Sequence, residues 1–398
     1  MADSSVLMEG AVLYHDHRED ANLGKLPGRV GWTDLGQFTN HGIFQPSVGT
    51  IQAVMIFVDF PNAPVSEAPK NYQHTRPYYE WLVPGGRQWF IDASFGRMDV
   101  HVTPINRWYR MSKVDDTYGF QRGISSDQHT NYIQEAVLLA AADVDYSKYD
   151  VVYIVPCKNA SGITFSPTHI DGGRNKVAVN GRVVTHAVTF GQDMWRWGYK
   201  VMNHETLHIC GLPDLYAFEE KGNPSNSHYF VGGWDVMGLI SGHAPDPFAW
   251  HKWKLGWLDD DQVDVVTKPG AFIHHLSPIE SSGGTKMVVI PLSETSAFVI
   301  ESRRPLGNDN YATDSGVLVY HVDSSVRTGR GPLYVVHGNP ELRDTYDPDD
   351  VNTACLGLNE NKFATFDDPT SGVSVTVISQ SEVEDVVLVK RSDQAVSL

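Results

Sequence analysis

The segment from residue 203 to residue 216 restricts the fold more than any other part of the sequence. It reads Asn-His-Glu-Thr-Leu-His-Ile-Cys-Gly-Leu-Pro-Asp-Leu-Tyr. In a helix, His204 and His208 share one face because they are four residues apart, so both imidazoles point toward one place. Glu205 projects in a different direction, which suits a carboxylate that acts on water. The pattern predicts a helix that carries part of a zinc site.

The residues after this helix supply a third ligand. Zinc takes about four tetrahedral ligands, and a catalytic site keeps one position for water. Gly211 can adopt a left-handed conformation that ends the helix, and Pro213 prevents the helix from continuing. We therefore predict that Asp214 reaches the metal, since zinc accepts carboxylate oxygens. Cys210 precedes the turn and is interpreted as a buried helix residue.

A methionine further along the chain adds to this prediction. Met237 lies in the stretch VGGWDVMGLISG, where glycines mark a tight turn. Such a methionine can form an apolar floor beneath a metal, and packing against Trp234 is compatible with that role. A surface helix with two histidines and a glutamate also arises by chance. The Gly211 turn, Asp214 and Met237 together make the zinc interpretation the more specific one.

The predicted chemistry is metal-assisted amide hydrolysis. Bound zinc lowers the pKa of water from about 15.7 toward about 7. Glu205 would then act as the general base, taking a proton as the water attacks a polarised carbonyl and passing it to the leaving amine.

Composition excludes several other classes of protein. The chain has 31 Lys plus Arg against 48 Asp plus Glu, a net charge of −17 that disfavours a nucleic-acid partner. No apolar run reaches the length of about 18 residues that an integral membrane segment needs. Three cysteines are too few for a disulfide scaffold. The first residues show no targeting signal, although a leader can be removed from a mature chain.

The pattern of apolar residues predicts an α+β protein. Residues 1–50 are irregular and form an N-terminal arm, residues 51–258 alternate between helix and strand, and residues 259–398 form a β-rich domain of short strands. Within the middle domain, the predicted strands are 51–60, the segment MDVHVTPI and 149–155, and the predicted helical segments are 78–82, 89–95, 129–142 and about 192–210.

Several blocks resemble the immune inhibitor A family of metzincin-like peptidases. These are HETLHICGLPDLY, VGGWDVMG and DPFAWHKWKLGW, together with VMIFVDFPN at 54–62, FIDASFGRMDVHV at 90–102, and FVIESR and GVLVYHVD after residue 297. The resemblance covers most of the chain. It implies a metzincin-type zincin catalytic domain, with a mixed sheet, a zinc helix and a Met-turn, followed by the β-rich domain.

The resemblance also implies roles for individual residues. Zinc would be bound by His204, His208 and Asp214, Glu205 would be catalytic, and Met237 would form the Met-turn. Family members are typically secreted, zinc-dependent endopeptidases that act on protein or peptide substrates and often carry structural calcium. We therefore expect an extracellular location.

The sequence departs from the metzincin pattern at two positions. The extended pattern has a histidine where this chain has Asp214, and some metzincins have a tyrosine where it has Leu239. The donor that stabilises the developing oxyanion is therefore open. Its candidates are Tyr216, His228 and Tyr229, each of which also fits a structural role.

The acidic stretch RDTYDPDDVNT is a candidate calcium site. It offers oxygen ligands of the type that calcium takes, and a solvated acidic loop fits it equally well. The EF-hand spacing is absent. The candidate ligands are Asp344, Asp347, Asp349, Asp350 and Asn352.

Two other functions fit the same sequence. One is a non-catalytic binding module that uses zinc structurally and recognises protein or carbohydrate, although the intact Glu205 argues against it. The other is a zinc hydrolase of a non-peptide amide or ester, which would share every catalytic residue with a peptidase. The sequence says nothing about oligomeric state.

Overall fold

The computed structural model describes residues 13–15, 18–28, 35–171, 173, 176–240, 246–343 and 348–392. The chain forms two compact units. One is Thr39–Leu212, and the other combines Met1–Phe38 with Pro213–Leu398. In the described part of the chain, no helix is long and apolar enough to cross a membrane.

Strands outnumber helices among the described residues. The strands are β1 (Leu13–His15), β2 (Gly49–Asp59), β3 (Met98–Arg110), β4 (Val151–Pro156), β5 (Thr168–Ile170), β6 (Val177–Val179), β7 (Arg182–Val184), β8 (His186–Thr189), β9 (Val263–Val265), β10 (Gly270–Leu276), β11 (Met287–Pro291), β12 (Ser296–Arg303), β13 (Gly316–Asp323), β14 (Leu333–Val336), β15 (Thr365–Asp368), β16 (Val373–Gln380) and β17 (Asp385–Arg391). The α-helices are α1 (Arg76–Ala93), α2 (Ser126–Leu139), α3 (Met194–Trp197), α4 (Tyr199–Ile209), α5 (Ala249–Lys254) and α6 (Pro348–Val351). Short 3-10 helices cover Ala21–Gly24, Val65–Glu67, Lys70–Tyr72, Asp115–Tyr118, Tyr146–Lys148, Asp260–Gln262, Gly307–Asp309 and Pro340–Leu342.

A five-stranded sheet forms the centre of the Thr39–Leu212 unit, with strand order β3-β2-β4-β8-β5. The first four strands in this order are parallel, and β5 forms one edge in the antiparallel direction. Parallel neighbours need long crossover connections, and α1 and α2 lie in the connections from β2 to β3 and from β3 to β4. The apolar run predicted as a buried strand is β2, whose residues 53–59 are all buried.

The helix α1 is continuous, although the sequence predicted two separate helical stretches. Pro84 lies inside it and is followed by Gly85 and Gly86. A Cβ atom at Gly85 would lie 2.6 Å from the Tyr199 ring, and one at Gly86 would lie 2.9 Å from Oδ1 of Asn203. Both contacts are with α4. The two glycines therefore allow α1 and α4 to approach more closely than larger residues would permit.

Two five-stranded sheets form most of the second unit, with strand orders β1-β10-β17-β16-β15 and β14-β13-β12-β11-β9. Most neighbouring strands are antiparallel, and β1–β10 and β9–β11 are the parallel pairs. Apolar side chains from both sheets form one buried core, including Val288, Ile300, Val319, Val375 and Val389. The short strands predicted after residue 259 are confirmed.

The several sheets and few helices agree with the predicted α+β class. The compact units, however, divide the chain differently from the predicted domains 1–50, 51–258 and 259–398. Residues 213–258 group with the C-terminal sheets, because compactness depends on long-range packing, whereas a sequence shows only where the type of element changes. Of the predicted arm, residues 1–12, 16–17 and 29–34 lie outside the described residues.

Candidate metal centre

The helix α4 carries the histidine pair and has a defined start and end. It follows Gly198, whose φ of +62° interrupts the helical conformation between α3 and α4. It ends in a Schellman motif, in which the N–H of Gly211 donates to the carbonyl of His208 (2.9 Å) and the N–H of Leu212 to that of Leu207 (3.1 Å). Gly211 has a φ of +97°, so the predicted left-handed turn is confirmed.

Polar bonds fix the buried face of α4 against the sheet. The hydroxyl of Thr206 donates to the carbonyl of Met202 (2.6 Å) and accepts a bond from the Tyr153 hydroxyl on β4 (2.7 Å). Cys210 is fully buried, and burial raises the pKa of its thiol to about 12. Cys210 is therefore a buried residue at the end of α4, as the sequence predicted.

The two histidine rings face each other at their Nε2 atoms. These atoms are 3.1 Å apart, and the ring planes are close to perpendicular, at 89°. The Nδ1 atom of His208 lies 2.8 Å from the carbonyl oxygen of Leu212. Because a carbonyl oxygen only accepts, Nδ1 carries the proton, and the lone pair of a neutral His208 is on Nε2. This orientation is the usual one for a metal-binding histidine.

The separation of the two Nε2 atoms fits a metal ion. Zn–N bonds of about 2.0–2.1 Å at a tetrahedral angle place two imidazole nitrogens roughly 3.3 Å apart. His204 and Glu205 are buried and His208 is half-buried, and ligand atoms of the three residues lie within 4.8 Å of one another. Within the described ranges, no other group of three His, Cys, Asp or Glu side chains brings its ligand atoms so close. These residues can hold a metal ion.

Glu205 has a hydrogen-bond partner that the sequence did not predict. The hydroxyl of Thr168, on the edge strand β5, lies 2.7 Å from Oε2 of Glu205 and 2.9 Å from its carbonyl oxygen. No motif marks Thr168, because it is 37 residues away in sequence and meets Glu205 only through the fold. Leu212 was missed for a different reason, since it acts through its backbone carbonyl.

Asp214 belongs to the other compact unit, whose segment Pro213–Leu398 begins one residue before it. Its side chain is half-buried, and its carbonyl accepts a bond from the Thr328 hydroxyl (3.1 Å). The assignment of Asp214 as the third ligand stays a prediction.

Met237 lies in a buried turn of that second unit. Its N–H donates to Oδ1 of Asp235 (2.7 Å), and its carbonyl accepts from the N–H of Leu215 (2.9 Å). Buried Arg303 donates to the carbonyl of Trp234 (2.7 Å), which fixes the start of the turn. The structure therefore confirms a buried methionine in a tight turn that is bonded to the residue after Asp214. Its role as a Met-turn stays a prediction.

The predicted transition-state donors are all half-buried residues of the second unit. Tyr216 packs against Phe218, and Tyr229 packs against Phe230. The Nδ1 atom of His228 is buried without a hydrogen-bond partner, and burial lowers the pKa of this histidine. None of these contacts assigns a catalytic role, so the oxyanion donor stays open.

The predicted calcium ligands fall mostly beyond what the structure describes. Asp344 and Asp347 lie outside the described residues, as does the side chain of Asp349. Asp350 is half-buried in α6, and Oδ1 of Asn352 accepts a bond from the N–H of Gly233 (2.8 Å). Asn352 thus has a structural partner, and a calcium site here stays a prediction.

A buried histidine beneath β5 makes stability depend on pH. Burial and the neighbouring His169 lower the pKa of His129 to about 3. Its Nε2 lies 2.8 Å from the Thr189 hydroxyl, which itself donates to a carbonyl. The unfolded chain therefore binds a proton at His129 below a pH of about 6.5, whereas the folded chain does so only near pH 3. The stability that the neutral His129 contributes is fully present above a pH of about 6.5 and is lost as the pH falls toward 3.

We expect this single group to cost about 2 kcal/mol of unfolding free energy at pH 5 relative to pH 7.5. Urea unfolding at both pH values gives the difference in unfolding free energy between pH 7.5 and pH 5. His129→Gln should make this difference smaller than in the wild type by about that amount, because the contributions of all other titrating groups are the same in both proteins. Exposed His74→Gln is the matched control. An unchanged difference in His129→Gln would show that His129 is not buried in its neutral form.

Comparison with protein-family models finds no match to this chain, and a search of curated proteins finds none either. The resemblance to immune inhibitor A peptidases therefore depends on the sequence blocks themselves. The geometry adds an independent observation, which is a largely buried His-Glu-His group whose two imidazole Nε2 atoms lie 3.1 Å apart.

Proposed function

We propose that this chain is a zinc-dependent endopeptidase of the metzincin type, with Glu205 as the general base. The observation that carries the proposal is the 3.1 Å separation of the His204 and His208 Nε2 atoms, with Glu205 beside them on α4. The donor set supports zinc in particular, because two imidazoles and a carboxylate are a frequent catalytic zinc set. In this proposal Asp214 is the third ligand.

The residues around His204 and His208 support a preorganised metal site. The carbonyl of Leu212 orients His208, and the Schellman turn that places this carbonyl also directs the chain toward Asp214. Met237 would be the Met-turn, as an apolar contact beneath the metal. Secretion, and calcium at the acidic stretch from Asp344 to Asp350, enter the proposal only through the family resemblance.

The chemistry follows from the position of Glu205. When bound, zinc would supply Lewis acidity, which polarises a peptide carbonyl and lowers the pKa of water toward about 7. Glu205 removes a proton from the water as the water oxygen forms the new C–O bond to the carbonyl carbon. It then gives that proton to the peptide nitrogen as the C–N bond breaks. His204 and His208 would hold the metal. The net reaction is hydrolysis of a peptide bond.

Digestion of unfolded casein and of a mixture of peptides by the zinc-loaded protein tests this proposal. We expect fragments cut at internal peptide bonds, identified by mass spectrometry, and no fragments after a chelator removes the metal. Cleavage of model esters or non-peptide amides alone would instead indicate a different hydrolase. A zinc-bound protein that leaves all of these substrates intact would contradict an enzymatic function.

A further inference from the structure

The hydrogen bond between Thr168 and Glu205 joins the edge strand β5 to the proposed general base. A hydroxyl has one proton to donate, and here two acceptors lie within reach, the carboxylate oxygen at 2.7 Å and the backbone oxygen at 2.9 Å. The carboxylate is the stronger acceptor because the bond to it is charge-assisted. The hydroxyl therefore restrains the end of a side chain that otherwise has three rotatable bonds.

The backbone of β5 is fixed on both sides of Thr168. The N–H of Thr189 donates to the carbonyl of Pro167 (3.1 Å), and the N–H of Asp171 donates to the carbonyl of Thr185 (2.8 Å). Between these bonds, Thr168 pairs with Val188 of β8. The hydroxyl is thus carried by a strand with a set register.

The residues before β5 are anchored as well. The N–H and hydroxyl of Ser166 donate to the two carboxylate oxygens of Asp193, at 3.0 and 2.6 Å. Burial raises the pKa of Asp193, and these hydrogen bonds oppose the shift by stabilising its charged form. The Ser166 hydroxyl also accepts a bond from the N–H of Gly191 (2.9 Å). This network ties the entry to β5 to the segment that leads into α3.

The next residue, His169, determines which face of β5 the Thr168 side chain lies on. His169 is 7% exposed, and its ring centroid lies 6.1 Å from that of His129 on α2. Because successive side chains of a strand point to opposite faces, burial of His169 directs Thr168 to the other face, toward Glu205.

We propose that Thr168 is a positioning residue that holds the Glu205 carboxylate in the orientation required for proton transfer. This inference rests on the proposed function. Thr168 touches no reacting atom and acts only through Glu205. Its contribution follows from geometry, because a shift of about 1 Å in a catalytic group can cost about 10²-fold in rate.

Three substitutions test the proposal on the full-length, zinc-loaded protein. Thr168→Val keeps the branched shape and removes the hydroxyl, Thr168→Ser keeps the hydroxyl and removes the methyl group, and Thr103→Val makes the matched change at a half-buried position of β3. For a quenched peptide substrate, we expect Thr168→Val to lower kcat by about 10- to 100-fold with little change in KM. Thr168→Ser and Thr103→Val should both stay within about 3-fold of the wild type.

Readouts other than activity separate positioning from folding. Zinc content and the thermal midpoint of Thr168→Val should match those of the wild type, and Thr168→Ala removes the same hydroxyl if the valine variant does not fold. Full activity of Thr168→Val, or an equal loss in Thr168→Ser, would overturn the inference while leaving the proposed function intact. An inactive wild-type protein would overturn both. Loss of zinc from Thr168→Val would also reject a role that acts only through Glu205.

Discussion

Glu205→Gln is expected to lower kcat/KM for a peptide substrate by about 10²- to 10⁴-fold, the range that a general base contributes. Glutamine has nearly the same shape, and its carbonyl oxygen can still accept the hydrogen bond from Thr168. It cannot take a proton from water at any ordinary pH. The expected loss is therefore one of proton transfer, with KM and the zinc content close to those of the wild type.

A second glutamate of the same unit provides the control. Glu135 on α2 also accepts a hydrogen bond from a hydroxyl, that of Tyr118 at 2.8 Å, and it is half-buried. Glu135→Gln makes the same chemical change and should keep activity within about 3-fold, since this residue is placed in no catalytic step. If Glu205→Gln were fully active, another group would have to be the base. If it lost zinc, Glu205 would be a ligand.

Much of the local structure was predictable from the sequence. The apolar run of β2 and the short strands of the C-terminal region follow directly from hydrophobic patterning. The turn at Gly211 was predictable because Pro213 forbids a longer helix and glycine alone adopts its φ of +97° without strain. The predicted helix at 192–210 is interrupted in the structure, because Gly198 adopts a φ of +62°.

The remaining features depend on contacts between distant residues. Thr168 meets Glu205 because the antiparallel edge strand passes α4, and no spacing along the chain indicates that meeting. The compact units differ from the predicted domains for the same reason, since residues 213–258 have no pattern that shows which sheet they pack against. A motif can thus predict the groups that do chemistry, whereas the groups that hold them in place require the three-dimensional structure.

The histidine pair allows an equally decisive test of metal binding. His204→Ala removes one of the two Nε2 atoms that lie 3.1 Å apart. Loss of a mere hydrogen-bond partner of a metal ligand costs about 10- to 100-fold in affinity, so loss of a ligand itself should cost at least about 100-fold. We expect metal analysis to find zinc in the purified wild type and none in the variant, and we expect the variant to have no peptidase activity.

Thermal unfolding distinguishes a lost ligand from a damaged core. A metal that binds only the folded state stabilises it, so a zinc-selective chelator should lower the Tm of the wild type and of the exposed-histidine control His101→Ala, but not that of His204→Ala. The facing rings have one other physical explanation, which is a direct hydrogen bond between one Nε2–H and the other Nε2. In that case His204→Ala would be destabilised whether or not a chelator is present, and the wild type would show no response to metal. The chelator response of the wild type therefore decides whether this close pair of imidazoles is a zinc site or a hydrogen-bonded core pair.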